Sequence, residues 1–345
     1  MESRAIVFLG DGTFEERTFP VPDPRPGGAI LRVEATGLCH SDVHQFHGGA
    51  GTPRGATFPV VPGHEIVGRI DRITPEARTE WGVDEGDRVA VRTIAITPEG
   101  IRAYGLDFPV VGDRGLHGGY AEYLELVPGS MVHRLRDDLS AAECTVFESL
   151  SSAVTWVDPV HDGDVVVVEG PGHMGLATVV SARAAGAATV IVTGLASDGL
   201  RLDAALAVGA DHVIDVEATD PVARVAEITG GAMADVVVDA ASGNPITVRL
   251  GMEMVRRGGT VVVAGFKDRP LDGFEADWIP MRQITLRPGA GLDSARAVEL
   301  VNSGAVPTAA MLGDVFDFED FGEALALLER KIPGRDTVRA ALRIT

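Results

Sequence analysis

The sequence predicts an α/β protein in which a mostly-β domain is interrupted by a doubly wound parallel-sheet domain. Three observations lead there. At 345 residues the chain exceeds the ~100–200 residues of an ordinary domain, so two domains are expected. Its N-terminal part strings short β-type runs between glycines and prolines. From residue 164 a strand-then-helix grammar repeats, with valine runs that suit strands covered on both faces.

Between Ala5 and about Val132, the runs 30-ILRVEATG-37, 65-EIVGRID-71, 87-DRVAV-91 and 119-GYAEYLEL-126 read as strands separated by turn residues. At 140–157 the period changes. Ser140 suits an N-cap, Glu143 follows three residues later, and apolar residues recur at helical spacing, which predicts one helix. Strands at 164–170, 188–194, 211–215, 235–241 and 260–266 then alternate with helices near 173–185, 200–208 and 245–255. Amphipathic helices near 293–304 and 319–330 and a last strand at 338–344 return to mixed character. The expected domains are 1–150, 151–290 and, rejoining the first, 291–345.

Acidic residues number 50 against 30 basic ones, a formal charge of −20, and no basic stripe is present. Nucleic acid and anionic membrane are therefore poor partners. Apolar runs stop well short of the ~20 residues a bilayer requires, and Met1-Glu2-Ser3-Arg4 opens no signal peptide, so a cytoplasmic protein is expected. Two cysteines, Cys39 and Cys144, fit a reducing compartment.

Gly170, Gly172 and Gly175, with His173 and Met174 between the last two, stand in G-x-G-x-x-G spacing after an apolar strand and before a helix. Such a turn uses its first glycine for a tight bend, its second for backbone approach to a pyrophosphate and its third for helix packing. The alternative is a purely structural glycine turn. An acid at the end of the next strand normally binds the adenosine ribose and repels a 2′-phosphate. Here that position is Gly194. Its loss leaves room for NADP, yet no Arg or Lys follows immediately, Asp198 could supply the carboxylate, and Arg201 could serve either cofactor. The reading leans towards NAD.

The runs 39-CHSDVH-44 and 63-GHE-65 carry a thiol, imidazoles and carboxylates. Thiolate and neutral imidazole are strong zinc ligands, and a catalytic site adds a third ligand and an exchangeable position. From spacing alone, Cys39 reads more readily as a small buried hydrophobe and His64 as an ordinary surface residue than as a ligand pair.

Taken together, 37-GLCHSDVHQFHGG-49, 58-FPVVPGHEIVGRI-70, 84-DEGDRV-89, 118-GGYAEY-123, 170-GPGHMGL-176, 209-GADHVID-215 and 258-GGTVVVAG-265 resemble, in order, the zinc-dependent medium-chain dehydrogenase/reductase family. That family includes alcohol, polyol and threonine dehydrogenases, built from a GroES-like catalytic domain interrupted by a Rossmann domain. The resemblance implies a catalytic zinc on Cys39 and His64, with Glu65 as a neighbouring carboxylate or exchanging ligand. Glu148 matches the acidic third ligand of the polyol and threonine branches, and Cys144 is its rival. Asp42 would orient the metal-bound imidazole. Ser41 and His44 would relay the substrate proton, and His40 would lie near the cofactor pyrophosphate; His47 takes no role.

Many members also carry four closely spaced cysteines that bind a structural zinc. Residues 92–117, in the corresponding place, contain none, so only one catalytic Zn2+ is expected. The implied activity is an NAD(P)-dependent oxidation of a secondary, cyclic or polyol alcohol, reversible as ketone or aldehyde reduction. Its rivals are a zinc-free NADPH-dependent quinone or alkene reductase and a non-catalytic nucleotide-binding protein. A homodimer or homotetramer is also implied, with the strand near 260–266 as the expected edge for subunit pairing.

Overall fold

The computed structural model describes residues 1–49 and 57–345. They fall into two compact units, one of residues 1–148, 298–303 and 312–345, the other of residues 149–297 and 304–311.

The first unit is mostly β. Its seven-stranded sheet runs in the order Asp314–Asp317, Ala340–Arg343, Ala29–Leu38, Glu65–Ile73, Arg88–Val91, Val132–Arg134, with Tyr123–Leu126 also paired to Ala29–Leu38. The central strand Ala29–Leu38 is buried except at Arg32 and Glu34, as expected for a strand flanked on both sides. The strand expected at 119–126 begins only at Tyr123. Upstream, the Gly119 and Tyr120 amides donate instead to the Gly63 and Pro62 carbonyls at 2.8 and 3.0 Å, so this backbone serves a neighbouring loop rather than the sheet.

The helix expected over 140–157 is two helices, Ala141–Cys144 and Phe147–Trp156. Its start is as expected, with Ser140 and Glu143 forming a reciprocal cap. The interruption centres on Thr145. Its hydroxyl donates back to the Ala142 carbonyl at 2.7 Å, and its own carbonyl is drawn off by the Arg339 guanidinium at 2.9 Å.

The second unit holds six parallel strands in the order His212–Asp215, Thr189–Gly194, Val165–Glu169, Ala234–Asp239, Val255–Val263, Thr285–Pro288. Helices His173–Ala184, Gly199–Ala207, Pro221–Ile228 and Ile246–Met254 connect them. Val166, Val167, Val168, Val237, Val238, Val261 and Val262 are fully buried, which explains their unalternating pattern. The chain winds outward first to one side of Val165–Glu169 and then to the other. Its carboxyl end is therefore the switch point where open α/β sheets place ligands.

The subunit edge expected near 260–266 is overturned. Val255–Val263 lies inside the sheet, hydrogen-bonded on both sides, and the edges are His212–Asp215 and Thr285–Pro288. A four-residue strand of mixed polarity carries too little pattern to have shown beyond it. Among the described residues, no helix is long and apolar enough to cross a membrane.

Phe8 is fully buried in the first unit, its ring 5.2 Å from Phe46, 5.9 Å from Phe321 and 6.4 Å from Tyr120. It packs the helix His40–Phe46 against the rest of the core. Phe8→Ala is expected to cost about 3–5 kcal/mol of stability, measured by urea denaturation.

Candidate active site

The site is assembled by strand register. Ala29–Leu38 and Glu65–Ile73 pair antiparallel with Gly37 opposite Glu65. The chain therefore leaves the first strand directly into Cys39 and enters the second directly from His64, so residues 25 positions apart in sequence meet at one end of the ladder. The sulfur of Cys39, a ring nitrogen of His64 and a carboxylate oxygen of Glu65 all lie within 4.8 Å of one another, the one such group among the described residues.

His64 and Glu65 are buried and Cys39 is half-buried. Asp42, also buried, faces three ways. Its Oδ2 accepts the Cys39 amide at 2.9 Å and the Tyr120 hydroxyl at 2.8 Å, while its Oδ1 lies 3.3 Å from His64 Nδ1. That last geometry is an ion-pair contact rather than a hydrogen bond, and both atoms are otherwise without hydrogen-bond partners. Burial would lower the His64 pKa, but Asp42 and Cys39 outweigh it and hold the imidazole well above its ordinary value. Burial first and Asp42 second push the Tyr120 hydroxyl well above its usual range, so it remains a donor.

Glu65 pairs through Oε2 with the buried Arg339 guanidinium, whose pKa burial lowers to about 10 even though Cys39 nearby opposes the fall. Glu65 Oε1 has no hydrogen-bond partner. This donor set fits zinc: one soft thiol, one imidazole and one carboxylate oxygen with spare capacity, gathered within 4.8 Å.

Glu148 lies in the first turn of the helix Phe147–Trp156 and accepts the Thr93 hydroxyl at 3.3 Å, and the same hydroxyl lies 3.3 Å from the His64 carbonyl. It thus stands one hydroxyl away from the thiol group without being part of it. Cys144 is fully buried, and burial pushes its thiol up to about 11, the state of a packed core residue. Ser41 is half-buried, and His40 and His44 are exposed on the same short helix. His47 Nε2 lies 2.6 Å from Glu329 Oε1.

In the second unit the glycine turn has the geometry its spacing implies. Gly170 has φ +92° and any side chain there would press on Ala241. A Cβ on Gly172 would meet nothing within 4 Å, leaving its backbone open to a ligand, whereas one on Gly175 would collide with the Gly170 carbonyl. Gly172 caps the helix His173–Ala184, whose first residues are His173 and Met174. Directly before the turn, burial and neighbouring Asp239 push the Glu169 carboxyl well above its usual range, and Lys267 opposes this only in part. Asp239 in turn pairs with Lys267 at 2.7 Å.

Three residues escaped the sequence reading. Tyr120, Thr93 and Arg339 reach the site from distant strands and loops, and the sequence around each gives no local sign of that role; Arg339 is one of two arginines in the closing segment 338-VRAALRI-344.

Residues 25–137 match the alcohol dehydrogenase GroES-like domain and residues 174–301 match the zinc-binding dehydrogenase domain. A Mycobacterium tuberculosis (strain ATCC 25618 / H37Rv) protein named "Probable alcohol dehydrogenase adh" is 35% identical over 98% of both chains. The erythritol/L-threitol dehydrogenase of Mycolicibacterium smegmatis is 29% identical over 98% of this chain and 97% of its own. Among solved structures, a chain from Sinorhizobium meliloti 1021 described as a zinc-binding dehydrogenase and bound to NADP superimposes with a TM-score of 0.86, 25% identity and complete coverage of both chains.

Two substitutions test the geometry. Tyr120→Phe removes a donor to Asp42 and is expected to weaken zinc binding by about 10–100-fold in a chelator competition, with little change in overall structure. Gly37→Ala would drive a methyl into Glu65 Oε2 and Arg339 Nη2. It is expected to destabilise the first unit by about 3–5 kcal/mol in urea denaturation, as breaking a buried ion pair does.

Proposed function

The chain belongs to the zinc-binding alcohol dehydrogenase family, an oxidoreductase acting on CH–OH groups with zinc and a nicotinamide dinucleotide, and from that premise we propose how its residues divide the work. Cys39 and His64 hold one catalytic zinc, and Glu65 or Glu148 supplies an oxygen ligand. The observation that carries this reading is the meeting of thiol, imidazole and carboxylate within 4.8 Å. Zinc held there supplies Lewis acidity towards the substrate oxygen, and the dinucleotide supplies the hydride acceptor.

Asp42 orients the imidazole. With Nδ1 turned to the carboxylate, the other ring nitrogen would be the one to hold the metal. Ser41, half-buried beside Cys39, takes the hydroxyl proton of the alcohol during oxidation, and exposed His44, three positions further along the same helix, is the last station before solvent. In the reductive direction the same groups return the proton.

The turn from Gly170 to Gly175 holds the pyrophosphate on the amino end of the helix His173–Ala184. NAD is the favoured cofactor. In support, Asp198 lies in the turn after the second strand and engages Arg201 at 3.7 Å, the cation that a 2′-phosphate would need. The substrate is a secondary alcohol or a polyol, a reading supported by the tetritol in the name of one relative.

A single zinc per chain is supported by the content of the 92–117 segment. In place of cysteines, Phe108 stacks on Tyr104 at 5.4 Å and on His117 at 4.6 Å, and His117 lies 3.3 Å from Glu125. The edge strand Thr285–Pro288 and the 70% exposed Met281 support a homo-oligomer, and two cysteines outside any disulfide support a reducing cytoplasm.

Removing metal with dipicolinate is expected to lower NAD+-dependent oxidation of erythritol and 2,3-butanediol by about 100-fold or more, with recovery on adding stoichiometric Zn2+. An unchanged rate would favour the zinc-free reductase instead. Ser41→Ala is expected to lower kcat by about 10²-fold while the NAD+ Kd, measured by calorimetry, stays as it was.

A further inference from the structure

In a dinucleotide fold, cofactor choice is ordinarily made by an acid at the end of the second strand. In this chain that place is vacant, and its surroundings are crowded. A Cβ on Gly194 would sit 2.9 Å from Pro171 Cγ and 3.0 Å from Leu202 Cδ2, because the Gly-Pro-Gly turn packs directly over it. The group that tells a ribose hydroxyl from a phosphate therefore comes from a neighbouring element.

The surrounding atoms identify it. Two things bind a 2′-phosphate at this position: backbone amides of the turn that follows the second strand, and a cation. Both are already held by carboxylates. The Ala196 amide donates to Glu217 Oε2 at 2.9 Å, across from the loop after the third strand, and the Leu195 amide donates to Asp198 Oδ2 at 3.1 Å. Arg201 stands against Asp198, and both side chains are mostly buried. Glu217 is itself set in place, its own amide donating to Asp215 Oδ1 at 2.9 Å at the end of the strand His212–Asp215.

This rim thus carries Asp198, Asp215 and Glu217 against Arg201. A carboxylate can accept from a ribose hydroxyl, but it repels a phosphate of charge about −1.5 to −2 and withholds the amide that the phosphate would need.

We propose that Glu217 is a specificity-determining residue: its carboxylate, bonded to the Ala196 amide from the next strand's loop, replaces the acid missing at Gly194 and makes the chain select NAD over NADP. The inference rests on the dinucleotide reading of the Gly170–Gly175 turn. It moves the discriminating acid from the end of the second strand to the loop after the third.

The test is calorimetric titration of the full chain with NAD+ and with NADP+, for the unaltered protein, Glu217→Gln and Asp198→Asn/Glu217→Gln. The unaltered chain is expected to bind NAD+ about 30-fold or more tightly than NADP+. Glu217→Gln narrows that ratio by about tenfold, chiefly by improving NADP+, and the double variant, which also releases Arg201, narrows it further. Thermal melts confirm that each variant is folded. Equal or tighter NADP+ binding by the unaltered chain, or a ratio unmoved in a folded Glu217→Gln protein, overturns the proposal while leaving the dinucleotide site standing. Binding of neither nucleotide removes the premise and the proposal with it.

Discussion

The register between Ala29–Leu38 and Glu65–Ile73 is the constraint on which the chemistry of this chain depends. Because Gly37 faces Glu65, the residues just beyond that end of the pair are Cys39 on one side and His64 on the other. A slip of one residue would turn every side chain to the opposite face and send Glu65 away from the thiol. Gly37 has a second part in this. It leaves room above Glu65 for the Arg339 guanidinium, which arrives from the segment just before the last strand of the chain.

Around that meeting point the buried charges are arranged as two tethered carboxylates. Asp42 is held by the Cys39 amide and Tyr120, and it faces His64; Glu65 is held by Arg339 and keeps one oxygen without a partner. Burying a carboxylate is costly unless it is paired, so each tether fixes an orientation as well as offsetting desolvation. Protein groups alone thus orient both carboxylates, which is what the proposed metal site would require. The second unit shows the same economy of backbone. Gly170 and Gly175 are excluded from carrying side chains by their own neighbours, while Gly172 alone leaves open space.

The parallel sheet was legible because strands covered on both faces need no alternation, and four valine-rich runs of that kind cannot be mistaken for exposed strands. The glycine turn was legible because each glycine answers a separate steric demand. The pairing of Cys39 with His64 was not readable from spacing; it came from the ordered resemblance of many short motifs, and the register then supplied its physical cause. What stayed hidden was long-range. Tyr120 and Arg339 lie 78 and 274 positions from the carboxylates they hold, and a local pattern carries no information at such separations. The break at Thr145 was hidden for the same reason, since the guanidinium that draws off its carbonyl belongs to the far end of the chain. The inward position of Val255–Val263 depended on a strand too short to be seen.

X-ray absorption spectroscopy of the zinc-loaded protein tests the central claim most directly, because it counts sulfur ligands at the metal. The account predicts one sulfur at about 2.3 Å, from Cys39, with the remaining ligands nitrogen or oxygen at about 2.0–2.2 Å. A shell of nitrogen and oxygen alone would contradict it, for then the thiol that the strand register brings to His64 would not be holding the ion.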